Sequence, residues 1–196
     1  MGTVFFACYS FSMSEDANQE RIKAVIEEWN PTAPEADEEF FERVMPQFIA
    51  IKERHLRDLA TRRSDFSEEA IQRSLVYLEK RLHALKPGDA VPIARSGSEV
   101  LGYVLVCWNE SEGRMQIEQF YVDGKFRQRG IGTNLLNSAL RHARESHPGE
   151  SKGIFLTTGE TNERAQRLYQ RLGFNLSKIP ADEEGEIRLE LDFVTH

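Results

Sequence analysis

Residues 119 to 145, QFYVDGKFRQRGIGTNLLNSALRHARE, change periodicity in mid-segment. A run that reads as a strand meets RQRGIG, and an amphipathic helical pattern follows at once, with Ile131, Leu135, Leu136, Ala139, Leu140 and Ala143 on one face. Glycine is a poor helix former, so Gly130 and Gly132 at the start of a helix imply a need for bare backbone there. A helix N-terminus leaves backbone N–H groups unpaired and carries partial positive charge, which makes it an anion site. Two glycines let a phosphate-bearing ligand reach the amides of residues 128 to 133, and Arg127 and Arg129 add charge beside them. The plainer reading is a tight strand–loop–helix turn, and this segment alone leaves both open. There is no GxxxxGK[ST], which argues against P-loop chemistry, and no GxGxxG with a downstream acid, which argues against a dinucleotide fold.

The flanking pattern predicts a mixed α/β chain of β-β-β-α-β-α-β-β order after an α-rich N-terminal part. Val4 to Phe11 reads as a strand, and residues 14 to 29 as a helix capped by Ser14 with Ile22, Val25, Ile26 and Trp29 on one face. Residues 35 to 86 read as almost wholly helical, with Phe48, Ile51, His55 and Leu59 at helical spacing and Pro46 as a kink or break. Strands are predicted over 90–95, 99–109 and 114–122, then over GIFLTT, and a closing hairpin surrounds PADEEGE. The alternation expected of the third strand fails at Phe120, Tyr121 and Val122, and a bulge there would explain it.

Charge is distributed unevenly. The chain carries a net charge of -7, of which residues 15–42, with ten acids against two bases, contribute -8. An acidic chain argues against nucleic acid as partner. Two cysteines without metal or disulfide spacing point to a reducing, cytoplasmic setting. The apolar N-terminal run is too short to span a bilayer. The five histidines show no metal spacing, so no metal is expected.

One strand after the glycine loop comes NERAQRLYQRLGF, a helix closed by Gly173. Together, VDGKFRQRGIGTNLL and NERAQRLYQRLGF resemble the two signature segments of the GNAT superfamily of acyl-CoA-dependent N-acetyltransferases. Arg127, Gly130 and Gly132 meet the first, (Arg/Gln)-x-x-Gly-x-(Gly/Ala). Asn162, Ala165, Leu168, Tyr169, Leu172, Gly173 and Phe174 meet the second in full. The resemblance covers residues 90 to 192 well, and the helical stretch 35–86 is longer than the family usually needs. It implies a single N-acetyltransferase domain on a GNAT fold, an α/β architecture whose mixed central sheet is splayed at the acetyl-CoA site, with an enlarged helical segment after the first strand.

The resemblance further implies acetyl-CoA as cosubstrate, with its pyrophosphate on the amides of Gln128, Arg129, Gly130, Ile131, Gly132 and Thr133. The pantetheine arm would lie along Phe120, Tyr121 and Val122. Asn162 would contact the cofactor and Tyr169 would donate a proton to the departing thiolate; the plainer reading makes Asn162 a helix cap and Tyr169 core. Glu118 is the candidate base in the same strand, since Gln116 cannot accept a proton; an outward-facing strand residue is the alternative. The reaction implied is acetyl transfer to a primary amine by direct attack, against a second reading as an acyl-CoA-binding regulatory module. The acidic segment 15–42 would border the acceptor and favour a cationic amine. Neither nucleic acid nor membrane is an expected partner, and a homodimer is left open.

Overall fold

The computed structural model describes residues 9–12, 23–29, 42–61, 67–147, 149–182 and 185–193. Strands β1 (Tyr9–Ser12) and β2 (Lys23–Trp29) come first. Helices α1 (Met45–Ala60) and α2 (Glu68–His83) follow. Then come β3 (Val91–Ser96), β4 (Glu99–Asn109), β5 (Arg114–Val122), a 3₁₀ turn (Gly124–Phe126) and α3 (Ile131–Glu145). The chain closes with β6 (Gly153–Gly159), α4 (Glu163–Arg171), β7 (Asn175–Leu176) and β8 (Glu186–Asp192). The described strands form one sheet in the order β1-β2-β3-β4-β5-β6-β8-β7. Among the described strands, only β5 and β6 pair in parallel.

Helices cover both faces, which is why the central strands read as near-continuous apolar runs. On one face α3 and α4 pack Leu135, Leu136, Ala139 and Tyr169 against Val104, Val106, Met115, Ile154 and Leu156. On the other, Phe48 and Ile51 of α1 and Leu78 and Leu82 of α2 pack on Ile93, Tyr103, Leu105 and Cys107. Phe48 stacks on Tyr103 with ring centroids 4.2 Å apart.

The strands expected over 90–122 match β3, β4 and β5, and the closing hairpin matches β7 and β8. The helix expected over residues 14–29 is corrected: Lys23–Trp29 is a strand. It pairs antiparallel with β1 on one side and β3 on the other. Ala24 and Ile26 are its buried pair, a spacing of two where the helical reading used Val25 and Ile26. Sheet edges on both sides outweigh a weak local helical preference. The helical segment therefore follows the second described strand, not the first. Ser14, Ile22, Phe40 and Phe41 lie outside the described residues, as does Val4 to Cys8 of the first expected strand. Pro46 does not kink a helix: it stands in the first turn of α1, where the missing N–H has no intrahelical partner to lose.

Candidate active site

The β4–β5 register steps from Leu105↔Gln119 to Val106↔Ile117, which leaves Glu118 as an extra residue in β5. The bulge is therefore at Glu118, not at Phe120 to Val122 as the sequence suggested. Those three residues alternate normally: Phe120 and Val122 pack toward α3 and α4, Tyr121 toward α1 and α2. All three read as apolar because both faces are covered. Beyond Ile117, β5 no longer pairs with β6, and β6 continues with β8 alone. The sheet thus splays from the bulge onward.

The gap is a cleft of about 550 Å³. Phe120, Tyr121 and Val122 form one wall, Asn162, Ala165, Leu168 and Tyr169 the other, and Arg127, Gln128, Gly130, Gly132 and Thr133 its end. Of the residues expected to hold cofactor, Arg129 and Ile131 do not line it. Ile131 is a core side chain, 1% exposed, that offers only its amide.

The two glycines have different reasons. Gly130 is the N-cap of α3 with φ 74°, a left-handed conformation that β-branched residues resist. Gly132 lets the helix lie close to β5, since a Cβ there would meet Phe120 Cζ at 3.1 Å. No side chain caps α3, and the first backbone bond into the helix runs from Asn134 N–H to Gly130 O at 3.0 Å. The amides of Ile131, Gly132 and Thr133 therefore face the cleft end without intrahelical partners. Gln128 adds a second left-handed residue at φ 65°. A phosphate group fits this uncapped end.

Arg127 is committed elsewhere than the sequence suggested. Its Nε donates to Val122 O at 2.9 Å, and its Nη2 lies 3.2 Å from His55 Nδ1 of α1. One residue earlier in α1, Arg54 pairs with buried Asp123, which also caps the 3₁₀ turn by accepting from Lys125 N–H at 3.1 Å. His55 lies edge-on to Tyr121 with centroids 5.2 Å apart. A second cavity of about 560 Å³ adjoins the cleft, walled by α1 on one side and residues 122–128 on the other.

Asn162 satisfies both of its readings. Its Oδ1 caps α4 by accepting from Ala165 N–H at 3.3 Å, and it faces the cleft. Tyr169, two turns on, is 6% exposed and packs near Phe120 and Phe174. Its hydroxyl has no hydrogen-bond partner among the described residues, and burial pushes its pKa well above the usual phenol value. Burial likewise pushes Tyr121 up to about 12.

Glu118 turns to the α2 side. Arg81 Nε and Nη2 grip its two carboxylate oxygens at 2.8 and 3.0 Å. Nearby, Lys52 of α1 is 1% exposed and donates to Ser74 O at 2.9 Å. Its Nζ lies 5.9 Å from the centre of the Tyr121 ring, and burial lowers its pKa to about 8. Among the described residues no group of His, Cys, Asp and Glu could hold a metal ion. Within the acidic segment, Glu27 is described and pairs with Arg95 at 3.1 Å. It lies on a strand, so the acidic helical border expected for the acceptor is not what Lys23–Trp29 forms.

Sequence reasoning missed His55, Arg54 and Gly102. Gly102 sits in mid-strand, where glycine often marks close backbone approach. A Cβ there would come within 2.6 Å of Tyr121 O and 3.1 Å of Val122 Cα. His55 showed only as a polar member of an apolar helical face.

A mixed sheet opened at a bulge, with an uncapped helix end closing the gap, makes a cleft suited to an extended, phosphate-bearing ligand. Residues 22–174 match the acetyltransferase (GNAT) family. The spermine/spermidine N(1)-acetyltransferase of Bacillus subtilis is 32% identical over 115 residues, covering 55% of this chain and 72% of that protein. The human N-alpha-acetyltransferase 30 is 36% identical over 86 residues, covering 42% of this chain and 23% of that protein. The crystal structure of PH1933 from Pyrococcus horikoshii shares the fold, with a TM-score of 0.62 at 20% identity, covering 87% of this chain and 99% of that one. The chain belongs to the GNAT family of acetyltransferases. It is an N-acetyltransferase, and its cosubstrate is acetyl-CoA.

Proposed function

We propose that this protein transfers acetyl from acetyl-CoA to a primary amine by direct attack within a ternary complex. The observation that carries this reading is the parting of β5 from β6 after Ile117, opposite the unbonded hydroxyl of Tyr169. An open edge at Phe120 to Val122 can take the amide groups of a pantetheine arm as an added strand would. A backbone N–H near Tyr121 or Val122 then serves the thioester carbonyl as oxyanion donor. Gln128 to Thr133 offer main-chain N–H groups to the pyrophosphate, and Asn162 adds a polar contact from the α4 side.

An amine attacks only when unprotonated, so a proton must leave it first. Glu118 sits at the bulge, where the strand re-aims its side chain. Arg81 donates to both carboxylate oxygens and the Cys107 thiol lies against the same carboxylate, which leaves acceptor capacity for a water. Glu118 does not line the cleft, so in this reading the proton reaches it through water. After attack, the phenol of Tyr169 supplies a proton to the departing thiolate. Burial keeps that phenol protonated well past neutral pH.

The similarity to a polyamine acetyltransferase over 115 residues makes a polyamine the first acceptor to test. Thiol release from acetyl-CoA across a panel of polyamines, peptide N-termini and aminoglycosides is the experiment. Turnover with a primary amine, linear in both substrates and without an acetylated enzyme, supports the reading. Acetyl-CoA binding with no thiol release for any amine overturns it in favour of a regulatory module.

A further inference from the structure

The motif arginine of the cofactor loop is held by a histidine from the enlarged helical segment. Arg127 spans two elements: its Nε fixes Val122 O at the end of β5, and its Nη2 reaches His55 Nδ1 on α1. A guanidinium can only donate. Nδ1 must therefore accept, which requires a neutral imidazole carrying its proton on Nε2. A protonated ring has no lone pair for Arg127 and sets one cation against another.

We propose that His55 is a positioning residue for acetyl-CoA binding, which in its neutral form orients Arg127 and through it the end of β5 and the phosphate loop. The link is local and specific. His55 lines both the cleft and the adjoining cavity, and its ring lies edge-on to Tyr121 of the cleft wall. The charged and titratable groups around it are Arg54 and Asp58 on α1 and Tyr121 on β5. Beyond β5 they are Asp123, Lys125 and Arg127, and on α4 Arg164, Arg167, Tyr169 and Arg171. Imidazoles titrate near ~6.5 in general. Acidification through that range breaks the His55–Arg127 contact and releases the loop.

The test is acetyl-CoA affinity by calorimetry at pH 8.0 and 5.5 for wild type, His55→Asn and His55→Ala, with circular dichroism to confirm folding. Asparagine puts an amide oxygen near the place of Nδ1 and does not titrate. At pH 8.0 His55→Asn should bind within about threefold of wild type, and His55→Ala about tenfold more weakly, the scale of one hydrogen bond to a charged group. Between pH 8.0 and 5.5 wild type should lose up to about tenfold more affinity than His55→Asn, since one pH unit below its pKa a ring is about nine-tenths protonated. Titration of the ligand's own phosphates falls equally on both proteins and cancels in that comparison. Parallel pH profiles for wild type and His55→Asn would overturn the proposal, as would wild-type affinity in folded His55→Ala at pH 8.0.

Discussion

Burial acts on two side chains near the site, Tyr169 and Lys52, with opposite effects on their pKa values. Tyr169 is kept protonated by its surroundings, so Tyr169→Phe removes the proposed proton donor and almost no packing. The substitution should lower kcat at least about tenfold, toward the weak end of general acid effects, and leave acetyl-CoA affinity nearly unchanged. Stopped-flow turnover beside calorimetry separates the two, and wild-type kcat would reduce Tyr169 to core packing. Glu118→Gln should act on the amine instead. Its loss of rate should be worst at low pH and partly recovered at high pH, where more amine is already neutral; a profile parallel to wild type would assign deprotonation to water or another group. Burial favours the neutral form of Lys52 as it does that of Tyr169, but for an amine this lowers the pKa, from 10.5 to about 8. Below about 8 the ammonium is buried at a constant penalty. Between about 8 and 10.5 the unfolded chain holds the proton while the folded one has released it, so stability rises with pH. The gap amounts to roughly 3 kcal/mol. Lys52→Met should therefore be more stable than wild type near pH 7, and urea unfolding should show that advantage shrinking from pH 8 to 10.5. An advantage that stays constant with pH would mean the lysine does not titrate as its burial implies.

At the scale of elements, legibility followed the number of covered faces and the sharpness of the local signal. Strands β3 to β6 and helices α3 and α4 were readable because each carries a long periodic run ended by turn residues. The Asn162 to Phe174 motif was readable because a capping residue, an inward face and a C-terminal glycine fall in one short segment. Strand β2 was not, because KAVIEEW suits either period and only its two sheet neighbours decide between them. The bulge was misplaced for a related reason: three apolar residues in a row signal burial on both faces, whereas the extra residue is the charged Glu118. Gly102 carries the same lesson into packing. Its partners are backbone atoms of Tyr121 and Val122, which cannot swing aside as a side chain would. Gly102→Ala should displace the far end of β5, destabilise the fold by about 1–3 kcal/mol and weaken acetyl-CoA binding. Gly124→Ala, with open space around it, should stay within about 0.5 kcal/mol of wild type. Equal melting curves for the two variants would show that β4 and β5 do not need the close approach.

Across the whole molecule, α1 is fastened to the cofactor loop at two consecutive residues, Arg54 to Asp123 and His55 to Arg127. If α1 and α2 also border the acceptor, as the family resemblance implies for the N-terminal helices, donor and acceptor share a wall. Coupling between sites is reciprocal: whatever factor an acceptor analogue applies to acetyl-CoA affinity, acetyl-CoA applies to the analogue. Titrations run in both orders should return the same factor, and it should move toward one when Arg54 and His55 are both replaced by alanine. A factor of one in the intact protein would mean that the wall is shared without being felt. Inhibition need not then be sought in the donor cleft. A compound that shifts α1 against its two fastenings would change acetyl-CoA affinity without resembling it, and acetyl-CoA would change that compound's affinity by the same bounded factor.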